Sequence, residues 1–132
     1  IAGIRVVCSY IDDVYAVAEM LLRQSDVRLV QTQDYIQHPN FNGYRSLHLD
    51  IQIPIYLSDH TEHVNVEVQL RTVAMDFWAS LDHQLKYKKS LRDDSEISQE
   101  LKQCADVIAQ TDAKMLAIRQ KIEAQGIAVR KE

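Results

Sequence analysis

Two stretches in the middle of the chain alternate strictly between apolar and polar residues. In 46–56 (SLHLDIQIPIY), Leu47, Leu49, Ile51, Ile53 and Ile55 share one parity, and His48, Asp50 and Gln52 share the other. In 63–71 (HVNVEVQLR), Val64, Val66, Val68 and Leu70 alternate with Asn65, Glu67, Gln69 and Arg71. A period of two predicts strands with one buried and one polar face. The short link 57–62 predicts an antiparallel hairpin. Pro54 has no amide donor and belongs near a strand end, an edge or a bulge.

The rest of the chain alternates between shorter patterns. The β-branched run 3–10 (GIRVVCSY) predicts a buried strand, and 27–33 (VRLVQTQ) a short one. Pro39, Asn40, Asn42 and Gly43 make 34–43 a loop. Residues 12–24 predict a helix, with Asp12 and Asp13 where negative charge suits its N-terminus and Val14, Val17, Ala18, Leu21 and Leu22 on one face. Residues 73–88 predict a second helix, with Ala74, Phe77, Trp78, Leu81 and Leu85 to one side. After a polar break at 90–95, a helix over 96–125 carries Ile97, Leu101, Cys104, Ile108, Thr111, Met115, Ile118 and Ile122 in steps of four and three, a heptad seam. The expected fold is α/β (α+β): a mixed sheet of about four strands with packed helices and a long C-terminal helix extending from the body.

Composition narrows the functional classes. The 132 residues amount to one domain, and 46% hydrophobic with 26% charged residues is an ordinary globular profile. No apolar run approaches the ~20 residues that span a bilayer. With 15 Lys+Arg against 19 Asp+Glu, the net charge of −4 argues against a general duplex-DNA binder. Cys8 and Cys104 have no metal or disulfide spacing; both lie in apolar patterns and are expected to be buried thiols of a reducing, cytoplasmic setting. The chain opens in the middle of a strand-like run, without Met or a leader, and reads as a piece of a longer protein.

Two constellations could carry chemistry. Glu67, Gln69 and Arg71 project to one side of a strand: either a solvated outer face or a rigid platform, where a carboxylate holds Mg²⁺ or takes a proton and an Arg holds phosphate. In Asn42-Gly43-Tyr44-Arg45-Ser46-Leu47-His48, Gly43 permits a tight turn or a close approach. Tyr44 there is either a half-buried turn residue or an aromatic platform for a nucleobase, with His48 toward a phosphate. His38, His60 and His63 read as surface residues without a third zinc ligand. The run Lys86, Lys88, Lys89 and Arg92 suits a helix end or a phosphate.

Taken together, Asn42-Gly43-Tyr44-Arg45-Ser46-Leu47-His48 and Glu67-Val68-Gln69-Leu70-Arg71-Thr72 resemble the synthetase domain of the RelA/SpoT alarmone enzymes. Ile1-Ala2-Gly3-Ile4-Arg5-Val6-Val7-Cys8 resembles that family's first synthetase strand, and Met75-Asp76-Phe77-Trp78-Ala79-Ser80-Leu81-Asp82-His83 is most similar to the small single-domain synthetases. The resemblance implies a nucleotidyltransferase-like sheet and a GTP diphosphokinase of the stringent response, in which the diphosphate of ATP moves to the 3′-hydroxyl of GDP or GTP to give ppGpp or pppGpp. It implies Glu67 as Mg²⁺ ligand and catalytic base, Tyr44 stacked on guanine, His48 on acceptor phosphates and Arg5 against adenine. Gln69 and Arg71 would support the site, and Asn42 and Gly43 would form the substrate-binding turn.

The family's Mg²⁺-binding Asp would stand immediately before Ile1, and its basic ATP-phosphate segment further upstream. The chain as it stands is therefore expected to be inactive. Asn40 replaces the Lys usual in the family, which weakens the hold on acceptor phosphates. The expected division is a synthetase core over 1–92 and a helical extension over 93–132 that forms a homo-oligomer, tetramer before dimer, with no membrane partner. Two other readings fit the residues: a different nucleotidyltransferase on the same scaffold, or a non-catalytic module working through its long helix.

Overall fold

A computed structural model describes residues 2–89 and 95–126. The elements run β1 (Ala2–Cys8), α1 (Ile11–Leu22), β2 (Arg28–Asp34), β3 (Leu47–Tyr56), β4 (Thr61–Thr72), α2 (Val73–Lys89) and α3 (Ser95–Ala124). The four strands form one sheet in the order β1-β4-β3-β2. β1 runs parallel to β4, and the other pairs are antiparallel, so the sheet is mixed as expected. The alternating segments form the predicted hairpin, closed by Leu57 N–H donating to the His60 carbonyl at 2.8 Å. Pro54 lies past the last β2 partner of β3, where its missing donor breaks no ladder on that side.

The two parities of β3 and β4 become two faces. Leu47, Leu49, Ile51, Val66, Val68 and Leu70 are buried in one cluster with Val14 and Ala18 of α1 and Met75 of α2. Burying apolar side chains of this size stabilises the fold by roughly 1.5–3 kcal/mol each. The other parity, here the open face, sets His48 opposite Gln69, Asp50 opposite Glu67 and Gln52 opposite Asn65. β1 adds Gly3 beside Glu67 and Arg5 beside Gln69.

Several expectations give way. β1 is not buried: it is an edge strand on which only Val6 and Cys8 pack partly against the core, while Ile4 and Val7 are exposed. Burial pushes the Cys8 thiol up, with Asp13 adding to the effect. Cys104 is exposed, contrary to the buried thiol expected of it. α2 turns Met75 and Trp78 inward and leaves Phe77, Leu81 and Leu85 exposed.

α3 does not extend away from the body over its described length; it packs back along α2 and α1. Its inward face holds Leu101, Ala105, Ile108 and Asp112, while Cys104, Thr111, Met115 and Ile118 of the predicted seam are exposed. The reason is what lies opposite: a glycine turn that admits only a small side chain, and a hydroxyl that takes a carboxylate. At its far end Arg119 pairs with Asp12 and Asp13 of α1 and stacks over Tyr10, with the guanidinium carbon 4.3 Å from the ring centre. The basic run at 86–92 lies outside the residues whose side chains are described.

Candidate active site on the open sheet face

Five segments bring polar side chains to one end of the open face. β4 carries Glu67, Gln69 and Arg71 in a row. Gln69 Nε2 donates to Glu67 Oε1 at 3.0 Å, and Arg71 Nη2 donates to Gln69 Oε1. The loop 35–46 contributes Tyr44, whose hydroxyl accepts from Arg71 Nη2 at 3.1 Å and meets Nε2 of His48 on β3 at 3.0 Å. The Arg71 guanidinium also lies over the Tyr44 ring, 5.6 Å from its centre. β1 contributes Arg5, and the first turn of α2 contributes Asp76. Asp76 Oδ1 takes Arg5 Nη1 at 3.1 Å and Arg71 Nη1 at 3.5 Å.

The local folding of each part follows from its residues. Asp34 Oδ1 accepts from the Ile36 and Gln37 amides at 2.9 and 3.0 Å, which turns the chain out of β2. Asn42 Oδ1 accepts from Tyr44 N–H at 3.0 Å, and Gly43 adopts φ +98°, a conformation that L side chains resist. Thr72, the residue before α2, accepts from Met75 N–H at 3.2 Å and caps that helix. Asp76 in the same helix's first turn complements its dipole.

The electrostatics define a graded site. Arg71 is buried and its Nε has no partner, so its charge rests on the oxygens of Tyr44, Gln69 and Asp76. Burial lowers the pKa of His48 below its ordinary 6.5; Glu67 opposes this, Arg71 reinforces it and Asp50 opposes it. His48 is therefore neutral at pH 7. With Nε2 accepting from the Tyr44 hydroxyl, its proton is assigned to Nδ1, which faces Glu67 Oε1 at 3.8 Å. Glu67 is the open member, with its side chain 40% exposed and Asp50 opposite it in register.

The structure thus brings Tyr44, His48, Glu67, Gln69 and Arg71 into one network, with Arg5 joined to it through Asp76. Asn42 and Gly43 shape the turn behind Tyr44. Sequence reading missed Asp76 and Tyr35. Asp76 sits in the quoted Met75–His83 motif, but a helical carboxylate gives no sign of which strand it will meet. Tyr35 packs edge-on against both Tyr44 and His48, with ring centres 5.9 and 5.1 Å away. Among the described residues no group of three or more His, Cys, Asp or Glu side chains could hold a metal ion. His60 lies exposed in the hairpin link between Asp59 and Glu62. No described helix is long and apolar enough to cross a membrane.

The chain is 46% identical over 123 residues to the GTP pyrophosphokinase YwaC of Bacillus subtilis (strain 168), an alignment covering 93% of this chain and 59% of that protein. The crystal structure of small alarmone synthetase 2 from Bacillus subtilis superposes with a TM-score of 0.86 at 45% identity, over 90% of this chain and 65% of that one. Small alarmone synthetase 1 from the same organism, bound to its product pppGpp, superposes with a TM-score of 0.84 at 36% identity, over 91% of this chain and 62% of that one. The chain thus spans about six-tenths of the length of these relatives. Residues 1–92 match the family described as the region found in RelA / SpoT proteins. This match covers all four strands and every residue of the Tyr44–Arg71 network, and the chain belongs to the RelA/SpoT family.

Proposed function

We propose that the protein carrying this chain moves the β,γ-diphosphate of ATP to the 3′-hydroxyl of GDP or GTP. The observation that carries this reading is the coupling of an open carboxylate, Glu67, to an aromatic ring, Tyr44, through Gln69 and Arg71. Glu67 takes the hydroxyl proton. The 3′-oxygen forms a bond to the β-phosphorus, the bond from that phosphorus to the α-phosphate's bridging oxygen breaks, and AMP leaves. Such transfers depend mainly on positioning and charge neutralisation.

Tyr44 offers its ring to guanine. Neutral His48 carries an N–H donor beside Glu67 for acceptor phosphate. Arg5 lies along the β1 edge for adenine. Gln69 and Arg71 hold Glu67 and Tyr44 in register, and Asn42 and Gly43 set the turn. Glu67, the open carboxylate of the site, gives an oxygen donor of the kind Mg²⁺ takes, one or two carboxylates together with substrate phosphates. The ion would supply neutralisation of phosphate charge. Guanine selectivity separates this reading from another nucleotidyl transfer. Full-length protein given ATP and Mg²⁺ should form product with GDP or GTP and not with the matching adenine or cytosine nucleotides; equal use of all acceptors would refute it.

We also assign α3 to a homo-oligomer interface, a tetramer or else a dimer. Val73 and Phe77 of α2 and Met115 of α3 line an apolar groove of about 430 Å³, and Val107 and Ile118 add exposed apolar surface on α3. Phe77 alone is 59% exposed. Exposed side chains of this size favour burial against a second copy. A Phe77→Asp, Met115→Asp double variant should run at lower mass in light scattering; unchanged mass, or a monomeric wild type, would overturn the assignment.

A further inference from the structure

The inner face of α3 meets the site from behind at two points. Ala105, 4% exposed, stands against Gly43. A Cβ built on Gly43 would lie 2.6 Å from the Ala105 Cβ and 3.5 Å from both Lys102 Cα and Trp78 Cζ2, so this contact has no slack. Trp78 Nε1 donates to the Leu101 carbonyl at 2.9 Å, which fixes α3 along α2 at this level. About two turns further on, Asp112, 6% exposed, accepts from Thr72 Oγ1 at 2.6 Å. It also attracts the half-buried Arg45, whose buried Nη1 has no partner and whose pKa burial lowers.

These contacts bracket one hydrogen bond. Gly43 and Arg45 flank Tyr44, and Thr72 follows Arg71, which donates to the Tyr44 hydroxyl. A helix fixed at Gly43 and Thr72 therefore holds both ends of the Tyr44–Arg71 pair. We propose that α3 positions the guanine-side loop, with Ala105 and Asp112 as positioning residues that set where the Tyr44 ring stands. The inference rests on the reading of Tyr44 as the base platform. Holding such a platform rigidly before binding removes an ordering cost that would otherwise weaken affinity.

The test uses full-length protein and GDP as the probe. Ala105→Val adds bulk where Gly43 has no room to yield. It should raise the KM for GDP by about tenfold, as expected of a misplaced binding group, and leave the KM for ATP and kcat at saturating GDP within about twofold. Trp78, the single tryptophan of the chain, should report the displacement as a shift in emission. Asp112→Asn keeps the shape and should move GDP binding in the same direction by less. Gly43→Ala should weaken GDP binding, and adding Ala105→Gly should restore part of it, a rescue that general destabilisation cannot produce. An unchanged KM for GDP in folded Ala105→Val, a parallel change in kcat and both KM values, or a double variant no better than Gly43→Ala would each overturn the proposal. If Ala105→Val does not fold, Asp112→Asn and the double variant decide. Wild type that binds no GDP would overturn the functional reading as well, whereas wild-type binding matched by the variants overturns this inference alone.

Discussion

The open face of the sheet has two ends built on the same strands, and they differ sharply. At one end Glu67, Gln69 and Arg71 are linked to Tyr44, His48 and Asp76 by hydrogen bonds and ion pairs. At the other, Arg28, Gln52, Pro54, Tyr56 and His63 line a cleft of about 590 Å³ in which Tyr56 is 74% exposed. Both ends follow the same alternation, so parity alone does not locate a site. What separates them is the arrival of side chains from elsewhere: Tyr44 from a loop, Asp76 from α2 and Arg5 from the edge strand. A strand face becomes a candidate site where other elements converge on it and fix its rotamers.

Substitutions at the two ends should show this asymmetry. The largest effect belongs to Glu67→Gln, which keeps the Gln69 contact geometry but removes the base and the metal-binding charge. Single-turnover diphosphate transfer should fall by about 10²–10⁴-fold, the range for a lost general base, while calorimetry still detects GDP binding. His63→Gln at the far end should change the rate by less than about twofold, within the scatter of surface substitutions. A comparable loss from both would erase the distinction between the ends.

Next in size is stability. Arg71→Ala leaves Asp76, Gln69 and the Tyr44 hydroxyl without their buried donor and should cost about 2–3 kcal/mol in urea unfolding, as hydrogen bonds to charged groups do. Exposed Arg28→Ala should cost less than about 0.5 kcal/mol. Tyr44→Ala should weaken GDP binding by about 1–3 kcal/mol, the range for one base–aromatic stack. Tyr44→Phe should lose about 0.5–1.5 kcal/mol, because the hydroxyl accepts from Arg71 and meets His48. Equal losses for Ala and Phe would assign the effect to the hydroxyl and not to the ring face.

The smallest effect is one of pH. His48 has its folded-state pKa below the ordinary 6.5, with burial as the main cause. Between that lowered value and 6.5 the unfolded chain binds more protons than the folded one, so stability rises with pH across this window. It should be complete above pH 6.5 and decline on acidification until the folded-state pKa is passed. Melting temperatures of wild type and His48→Gln, compared across that window, should show a shallower acid dependence in the variant. Identical profiles would place the titrating group elsewhere.

The sequence by itself determined the elements, the hairpin and the two faces of the sheet, because side-chain direction in a strand repeats every two residues and burial acts on that repeat. It also placed Tyr44, Glu67, Gln69 and Arg71 among the residues to watch, since their types and parity are local properties. Which face of α3 turns inward was decided only by the tertiary structure. Counting apolar residues points to a seam through Cys104, Met115 and Ile118, yet the helix buries Ala105 and Asp112. Gly43 leaves no space for a larger neighbour, and the Thr72 hydroxyl and Arg45 guanidinium call for a carboxylate. Both requirements come from residues about 40 to 70 positions earlier in the chain. The exposure of β1 likewise follows from its place at the sheet edge, and the recruitment of Asp76 from α2 following β4 without a loop, which sets its first turn beside Arg71. Contacts of this kind depend on what stands opposite after packing, a property that no local period records.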